Sequence, residues 1–287
     1  MKAQYPGFFG QYMFTHLAIN PAYAGSTGLM NATMVYRNQW TGFPGAPKTQ
    51  MLTFHAPLKD KRNNFGFLMG FDAIGVSRQF LLQGIYAYRI DAGKVKLALG
   101  LQGGLSSLQN RWENLDLPDP GDGAFPLNTP AVFIPQVGTG FYMNHESFYL
   151  GISVPELLKY KGAQYRVFFS KKADFRIFFI SGGVLLKASN NLKVKPSFLL
   201  KYSKSSKFQI DLNVNLIIKD LIWVGTSFRT NDAVLGIVQF QANQQIRIGY
   251  VYERSTSPLR YWNSGTHEIL LSYDFKFRLK TTGVRYF

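Results

Sequence analysis

The chain has 287 residues, 46% hydrophobic and 16% aromatic, yet its mean hydropathy is only −0.08 and no apolar run approaches the roughly 18 residues of a membrane-spanning helix, which excludes a helical membrane protein. There is no cysteine, which excludes a disulfide framework or a thiolate metal site. The net charge of +16 comes from basic residues spread singly along the chain, a pattern that argues against nucleic acid and for an anionic lipid surface or an acidic protein partner.

The start, Met1-Lys2-Ala3-Gln4-Tyr5, has no apolar h-region, so for an exported protein the signal peptide is expected to be absent from this sequence. Residues 1–28 do not alternate and hold Pro6, Gly7, Gly10, Pro21, Gly25 and Gly28 among aromatics. They are expected to form a lead-in segment that lies in the periplasm or plugs a lumen. Alternation begins at residue 29. It is clearest over residues 207–219, where Phe208, Ile210, Leu212, Val214, Leu216 and Ile218 share one face and Gln209, Asp211, Asn213 and Asn215 the other, because a strand turns successive side chains to opposite sides. That segment exceeds the usual globular strand of about five or six residues and covers the roughly 9–11 that cross a bilayer at a tilt.

Fourteen strands are predicted: 29–40, 48–57, 64–76, 78–90, 95–108, 131–143, 147–154, 174–188, 192–202, 207–219, 221–230, 233–242, 245–253 and 266–280. The fold class is therefore all-β, an antiparallel transmembrane outer-membrane β-barrel over residues 29–280, with a periplasmic tail at 281–287. Turns at Asp91-Ala92-Gly93, Asn144-His145-Glu146, Ser189-Asn190-Asn191, Lys219-Asp220 and Asn243-Gln244 are short and fall on one side. Three long connections, 109–130, 155–172 and 254–265, fall on the other, as in barrels with short periplasmic turns and longer outer loops. A short helix is expected at 156–160. First and last strands must pair, because an open edge in hydrocarbon would leave backbone groups unsatisfied.

By register, Arg89, Lys96, Lys193, Lys195, Lys201, Arg229, Arg247 and Lys276 point inward against Asp72, Asp211, Glu253, Glu268 and Asp274. Two readings stand: a basic lumen that holds or passes something acidic, or charges that pair across strands and with a plug, Lys201 and Asp211 being diagonal neighbours. The histidines His16, His55, His145 and His267 lie far apart without metal-ligand spacing, and no nucleophile elbow or phosphate loop occurs. No catalytic residue, cofactor or metal is expected, and the chain is not expected to be an enzyme.

Several motifs carry a resemblance: Gln11-Tyr12-Met13-Phe14, Ile19-Asn20-Pro21-Ala22-Tyr23-Ala24-Gly25, Tyr36-Arg37-Asn38-Gln39-Trp40 with Gly42-Phe43 and residues 45–50, His55-Ala56-Pro57-Leu58, Gly151-Ile152-Ser153-Val154-Pro155, Gly265-Thr266-His267-Glu268-Ile269 and Arg285-Tyr286-Phe287. Together they resemble the PorP/SprF family of type IX secretion system outer-membrane proteins of Bacteroidetes, over essentially the whole chain. The terminal Phe287 resembles an outer-membrane insertion signal.

The resemblance implies an accessory in the outer membrane of a Gram-negative bacterium that binds, exports or anchors secreted surface proteins, such as gliding adhesins, through their C-terminal sorting domains. Implied partners are those cargo proteins, other type IX secretion components and outer-membrane lipid or lipopolysaccharide; nucleic acid is not among them. Candidate contact residues are the loop aromatics Trp112, Phe125, Tyr160, Tyr165, Phe168, Phe169, Tyr261 and Trp262, with Lys161, Arg166, Lys171 and Lys172 steering an acidic partner. Gln11, Tyr12, Asn20, Pro21, Tyr23, Gly25, Arg37, Asn38, Gln39 and Trp40 are expected to be structural. Competing readings are a passive anion-preferring pore and, behind it, a barrel-rim enzyme.

Overall fold

The structure, a computed structural model, describes residues 9–112, 130–158, 176–204, 206–275 and 286. Its strands are β1 (Met30–Asn38), β2 (Lys48–Pro57), β3 (Asn63–Ile74), β4 (Ser77–Ala92), β5 (Val95–Asn110), β6 (Val132–Asn144), β7 (Phe148–Val154), β8 (Ile177–Val184, resumed beyond Leu185 as Leu186–Lys187), β9 (Leu192–Ser203), β10 (Ser206–Ile218), β11 (Ile222–Arg229), β12 (Ala233–Gln241), β13 (Ile246–Ser255) and β14 (Thr266–Phe275). Each pairs antiparallel with the next, and β1 pairs with β14 from Met30 opposite Phe275 to Asn38 opposite His267. The sheet closes as a 14-strand barrel, so no edge faces lipid.

The alternation sorts as its chemistry requires. On β10, Leu212 is 55% exposed on the lipid-facing side while Asp211 is 1% exposed on the inner side. Rows of Phe, Tyr, Leu, Ile and Val continue around the outside, the apolar band that a bilayer demands. The inner side is buried, so the core of this barrel is its lumen. Three buried clusters fill it, and each contains lead-in residues: Phe9, Leu17, Ala18 and Ala24 in one, Tyr12, Met13 and Ile19 in another, Ala22 in the third.

Three differences from the sequence reading have local causes. β4 and β5 pair without interruption from Ser77 opposite Asn110 to Ala92 opposite Val95, because polar pairs such as Ser77 Oγ with Asn110 Oδ1 (2.7 Å) continue the ladder where hydropathy no longer marks it. β1 stops at Asn38 since Trp40 takes a φ of 50°, which ends an extended run. β8 breaks at Leu185, whose N–H bonds the Ser147 carbonyl, and its inner face carries Ile177, Phe179 and Leu185 among the buried apolar residues. It reads as apolar on both faces because one meets lipid and the other a packed interior. Residues 156–158 are not helical; the rest of the expected helix, and the expected stretch of β14 beyond Phe275, lie outside the described residues.

Candidate functional site

The described lead-in, residues 9–28, enters the barrel lumen and is a plug. It folds as three single turns, Tyr12–Phe14, His16–Ala18 and Pro21–Tyr23. The last is set by Pro21, whose fixed φ suits a first turn, and by Asn20, whose Oδ1 accepts the Ala22 N–H at 3.0 Å. Phe9 to Gln11 sit in the half nearer the long loops, Gly25 at the opposite end beside Asn64 and His55.

In the long-loop half the wall carries a ladder of buried charges. Arg229 Nε donates to Asp211 (3.0 Å) and its Nη1 to Glu253 (3.2 Å); Arg37 donates to Glu253 (3.0 Å) and Glu268 (3.2 Å). These side chains come from β11, β10, β13, β1 and β14, and their exposure is 5% or less. Arg229 Nη1 also reaches the partly exposed Asp232 at 3.3 Å, so two guanidinium groups serve four carboxylates and Glu268 draws on further donors. The plug provides them: the Gly10 N–H reaches Glu268 Oε2 at 2.9 Å and the Gln11 N–H reaches Oε1 at 3.1 Å. Buried charge is tolerable only when its remaining lone pairs are satisfied in this way. Gln11 is held again by Gln239 Nε2, which donates to its Oε1 at 2.7 Å.

In the short-turn half the fit is steric and aromatic. Asn20 to Ala22 lie on a platform of inward glycines on β5, β6 and β7. A Cβ on Gly100 would stand 2.1 Å from the Ala22 nitrogen, one on Gly140 2.1 Å from Asn20 Oδ1 and one on Gly151 2.9 Å from Asn20 Nδ2. Asn20 Nδ2 also donates to the Phe141 carbonyl (2.9 Å), and Ser153 Oγ to the Ile19 carbonyl (2.5 Å). Phe14 meets Trp223 edge to face at 5.0 Å, with Lys195 and Arg247 over both rings at 5.4–5.8 Å, a cation–π arrangement. His16 is enclosed by Tyr23, Tyr142 and Tyr149. Burial, then nearby Lys195, holds its pKa well below 6.5, so the ring is neutral.

Tyr286 covers this end. Its hydroxyl donates to Asp220 (2.6 Å) and accepts from Lys193, its carbonyl accepts from Lys195, and its ring lies 5.9 Å from Trp223. At Asp220 burial works upward, but the bonds from Lys193 and Tyr286 outweigh it and the pKa falls below 3.8.

The sequence motifs thus meet in space. Glu268 of β14, itself held by Arg37 of β1, receives the Gly10 and Gln11 amides; the Gly25 N–H donates to His55 Nδ1 at 3.3 Å; Ser153 holds Ile19. Tyr12 reaches Ser197 Oγ at 3.3 Å, Pro21 presses on Gly100, and Tyr23 packs on His55 and Tyr142. Asn38 ends the β1 ladder opposite Lys48, the Gln39 N–H bonds the Pro47 carbonyl and the Trp40 N–H bonds Thr266 Oγ1. Glu268 and the platform glycines were not among the site residues expected from sequence; their inward parity, shared with Arg37 and the lumen polar groups, is the signal that marks them. Lys201 is diagonal to Asp211, and Asp211 also forms an ion pair with Arg229 opposite it on β11.

Of the expected contact residues, Trp112 is half-buried at the end of β5, and Tyr261 and Trp262 are 73% and 74% exposed. Phe125, Tyr160, Lys161, Tyr165, Arg166, Phe168, Phe169, Lys171 and Lys172 lie outside the described residues. Among the described residues no group of three His, Asp or Glu could hold a metal ion.

The family model described as type IX secretion system membrane protein PorP/SprF matches residues 1–273. Among solved structures, the chain is similar to the Ralstonia pickettii toluene transporter TbuX (9% identity, TM-score 0.54, 97% of each chain covered). It also matches the Acinetobacter baumannii outer membrane protein Omp33 (8% identity, TM-score 0.47, 86% of this chain and 96% of that one). At such identities the likeness is one of fold. No curated protein matches.

Proposed function

The chain belongs to the PorP/SprF family of type IX secretion system membrane proteins, and from that premise we propose that it is a sealed barrel that holds secreted surface proteins at the outer membrane. As a family member it is an outer-membrane component of that system. The finer reading is that cargo docks through its C-terminal sorting domain on the long-loop end, by binding without covalent chemistry. Trp112, Phe125 and the aromatic and basic residues between Tyr160 and Lys172 form the contact surface, and Tyr261 and Trp262 extend it on the third loop. The observation that carries the reading is the plug, which connects nearly every motif of the family resemblance to the lumen wall (Glu268, Arg37, His55, Ser153 and the glycine platform). A passive pore has no use for a filled lumen, and an enzyme would need a nucleophile and base brought together at the rim.

The test replaces residues 161–172 by a short Gly-Ser turn. The barrel should still assemble and shift on heating, while a surface protein appears in the medium or is no longer exported. Full retention of surface proteins by this variant, with steady ion conductance by the unaltered barrel in a planar bilayer, would overturn the proposal in favour of a pore.

A further inference from the structure

The loop between β13 and β14 leans outward. Tyr252 and Arg254 continue the lipid-facing row of β13, yet their side chains reach the loop. Arg254 Nη1 donates to the Asn263 carbonyl at 3.2 Å, its Nη2 to the Arg260 carbonyl at 3.1 Å, and the Tyr252 hydroxyl to the Ser264 carbonyl at 3.1 Å. The backbone of residues 260–264 is therefore drawn over the outer flank of the wall. Tyr261 and Trp262 stand exposed there, with Arg260 Nη2 bonded to the Tyr261 hydroxyl at 2.6 Å and its guanidinium 4.7 Å from that ring. No Asp or Glu occurs in residues 254–265. Among the described residues neither arginine has a carboxylate within ion-pair distance, and both are exposed.

We propose that this loop is a seat for the phosphorylated glycolipid of the outer leaflet, with phosphate on Arg254 and Arg260 and the sugar–acyl boundary on Tyr252, Tyr261 and Trp262. Each arginine carries five N–H donors; two of those on Arg254 and one on Arg260 are used above, so both retain donors for a phosphate, which guanidinium groups bind in a forked geometry. Tyr and Trp favour the membrane–water boundary, where one end of the ring is apolar and the other wet. The occupant follows from the end of the barrel at which the loop lies. Long loops face outward in barrels of this class, and the outer leaflet there is built of phosphorylated glycolipid. The inference rests on the outer-membrane reading but not on cargo binding.

The full-length barrel would be placed in phosphatidylcholine nanodiscs and titrated with lipid A, lipid A stripped of phosphate, or phosphatidylglycerol. Native mass spectrometry would count bound lipid. Lipid A should be preferred, and Arg254→Ala/Arg260→Ala should weaken it about thirtyfold, as two surface arginines at about 1 kcal/mol each would give. Tyr261→Ser/Trp262→Ser should weaken it severalfold with the heat-induced mobility shift unchanged. Equal binding of the stripped lipid, equal binding of phosphatidylglycerol, or an arginine variant that keeps lipid A as well as the parent would each overturn the proposal. The 161–172 variant should bind lipid A normally while losing cargo, so the two proposals fail separately.

Discussion

The two halves of the lumen hold the same plug by opposite means. Toward the long loops, Gly10 and Gln11 complete a ladder of buried ions whose donors and acceptors are counted out among Arg37, Glu253, Arg229, Asp211 and Glu268. Toward the short turns, Asn20 to Ala22 sit where the wall has no side chains, and Phe14 and His16 sit among rings. The first attachment is directional and fails if one charge is lost. The second depends on shape and fails by gaining or losing volume. A polar lumen could be water-filled, but one with both features is cut for a particular segment.

That contrast can be broken most sharply at Gly100. Gly100→Val places carbon against backbone atoms of Pro21 and Ala22 that no rotamer change can move, so the plug should leave its seat. The barrel should change from electrically silent to conducting in planar bilayers while still showing heat-induced mobility. A silent Gly100→Val barrel with normal stability would show that the platform is slack.

Arg37→Ala tests the charge ladder. It strips a cation from between Glu253 and Glu268, and breaking a buried pair by removing one partner costs about 3–5 kcal/mol. The expected result is a lower unfolding midpoint in urea, largely restored by the double variant Arg37→Ala/Glu268→Gln if the stranded carboxylate is the cause. Phe14→Ala, at a partly buried ring, should cost about 2–3 kcal/mol, less than a fully buried Phe would. The loss should be the same at low and high salt, which unfolding midpoints at two ionic strengths would check.

The smallest effect concerns pH. His16 has its pKa depressed in the folded protein, so the unfolded chain binds the proton more readily. Stability should then fall as pH drops below about 6.5, with the full difference reached below the folded value. The titratable groups that face it are Lys195 on β9 and the phenols Tyr23, Tyr142 and Tyr149. His16→Phe should flatten the unfolding midpoint between pH 7 and 5, and an unchanged slope would assign it to other groups.

The barrel was legible because lipid imposes one rule on every strand: Phe208 to Ile218 must point out, and the register follows. The lumen was only half legible. Inward charges such as Arg229, Glu253 and Glu268 could be placed on the correct face from parity, but partner choice depends on tilt and stagger across strands that alternation does not encode. Asp211, with Lys201 on its diagonal, thus also faces Arg229 of the adjoining β11 and forms an ion pair with it. The partners of Gly100 and Gly140 are not legible in the strands that carry them, because what these glycines pack against comes from residues some 80 to 120 positions earlier. Tyr286 sits at the lumen mouth beside β9 and β11, although it follows β14 in sequence.

Closure of the barrel has a consequence for how the chain comes to be built. β1 begins two residues after the plug and β14 is the last strand to emerge, so the seam between them, Met30 against Phe275, joins residues almost a whole chain apart. Contacts of such separation form late. Glu268, the carboxylate that receives Gly10 and Gln11, stands on one side of that seam and Arg37 on the other. The strand that shuts the cylinder therefore carries the clasp for its contents. Shutting it around an empty interior would trap Glu268 with a single guanidinium and no amides, so filling and closing become one step, and an assembly machine that tests whether the seam holds is also testing whether the plug is aboard.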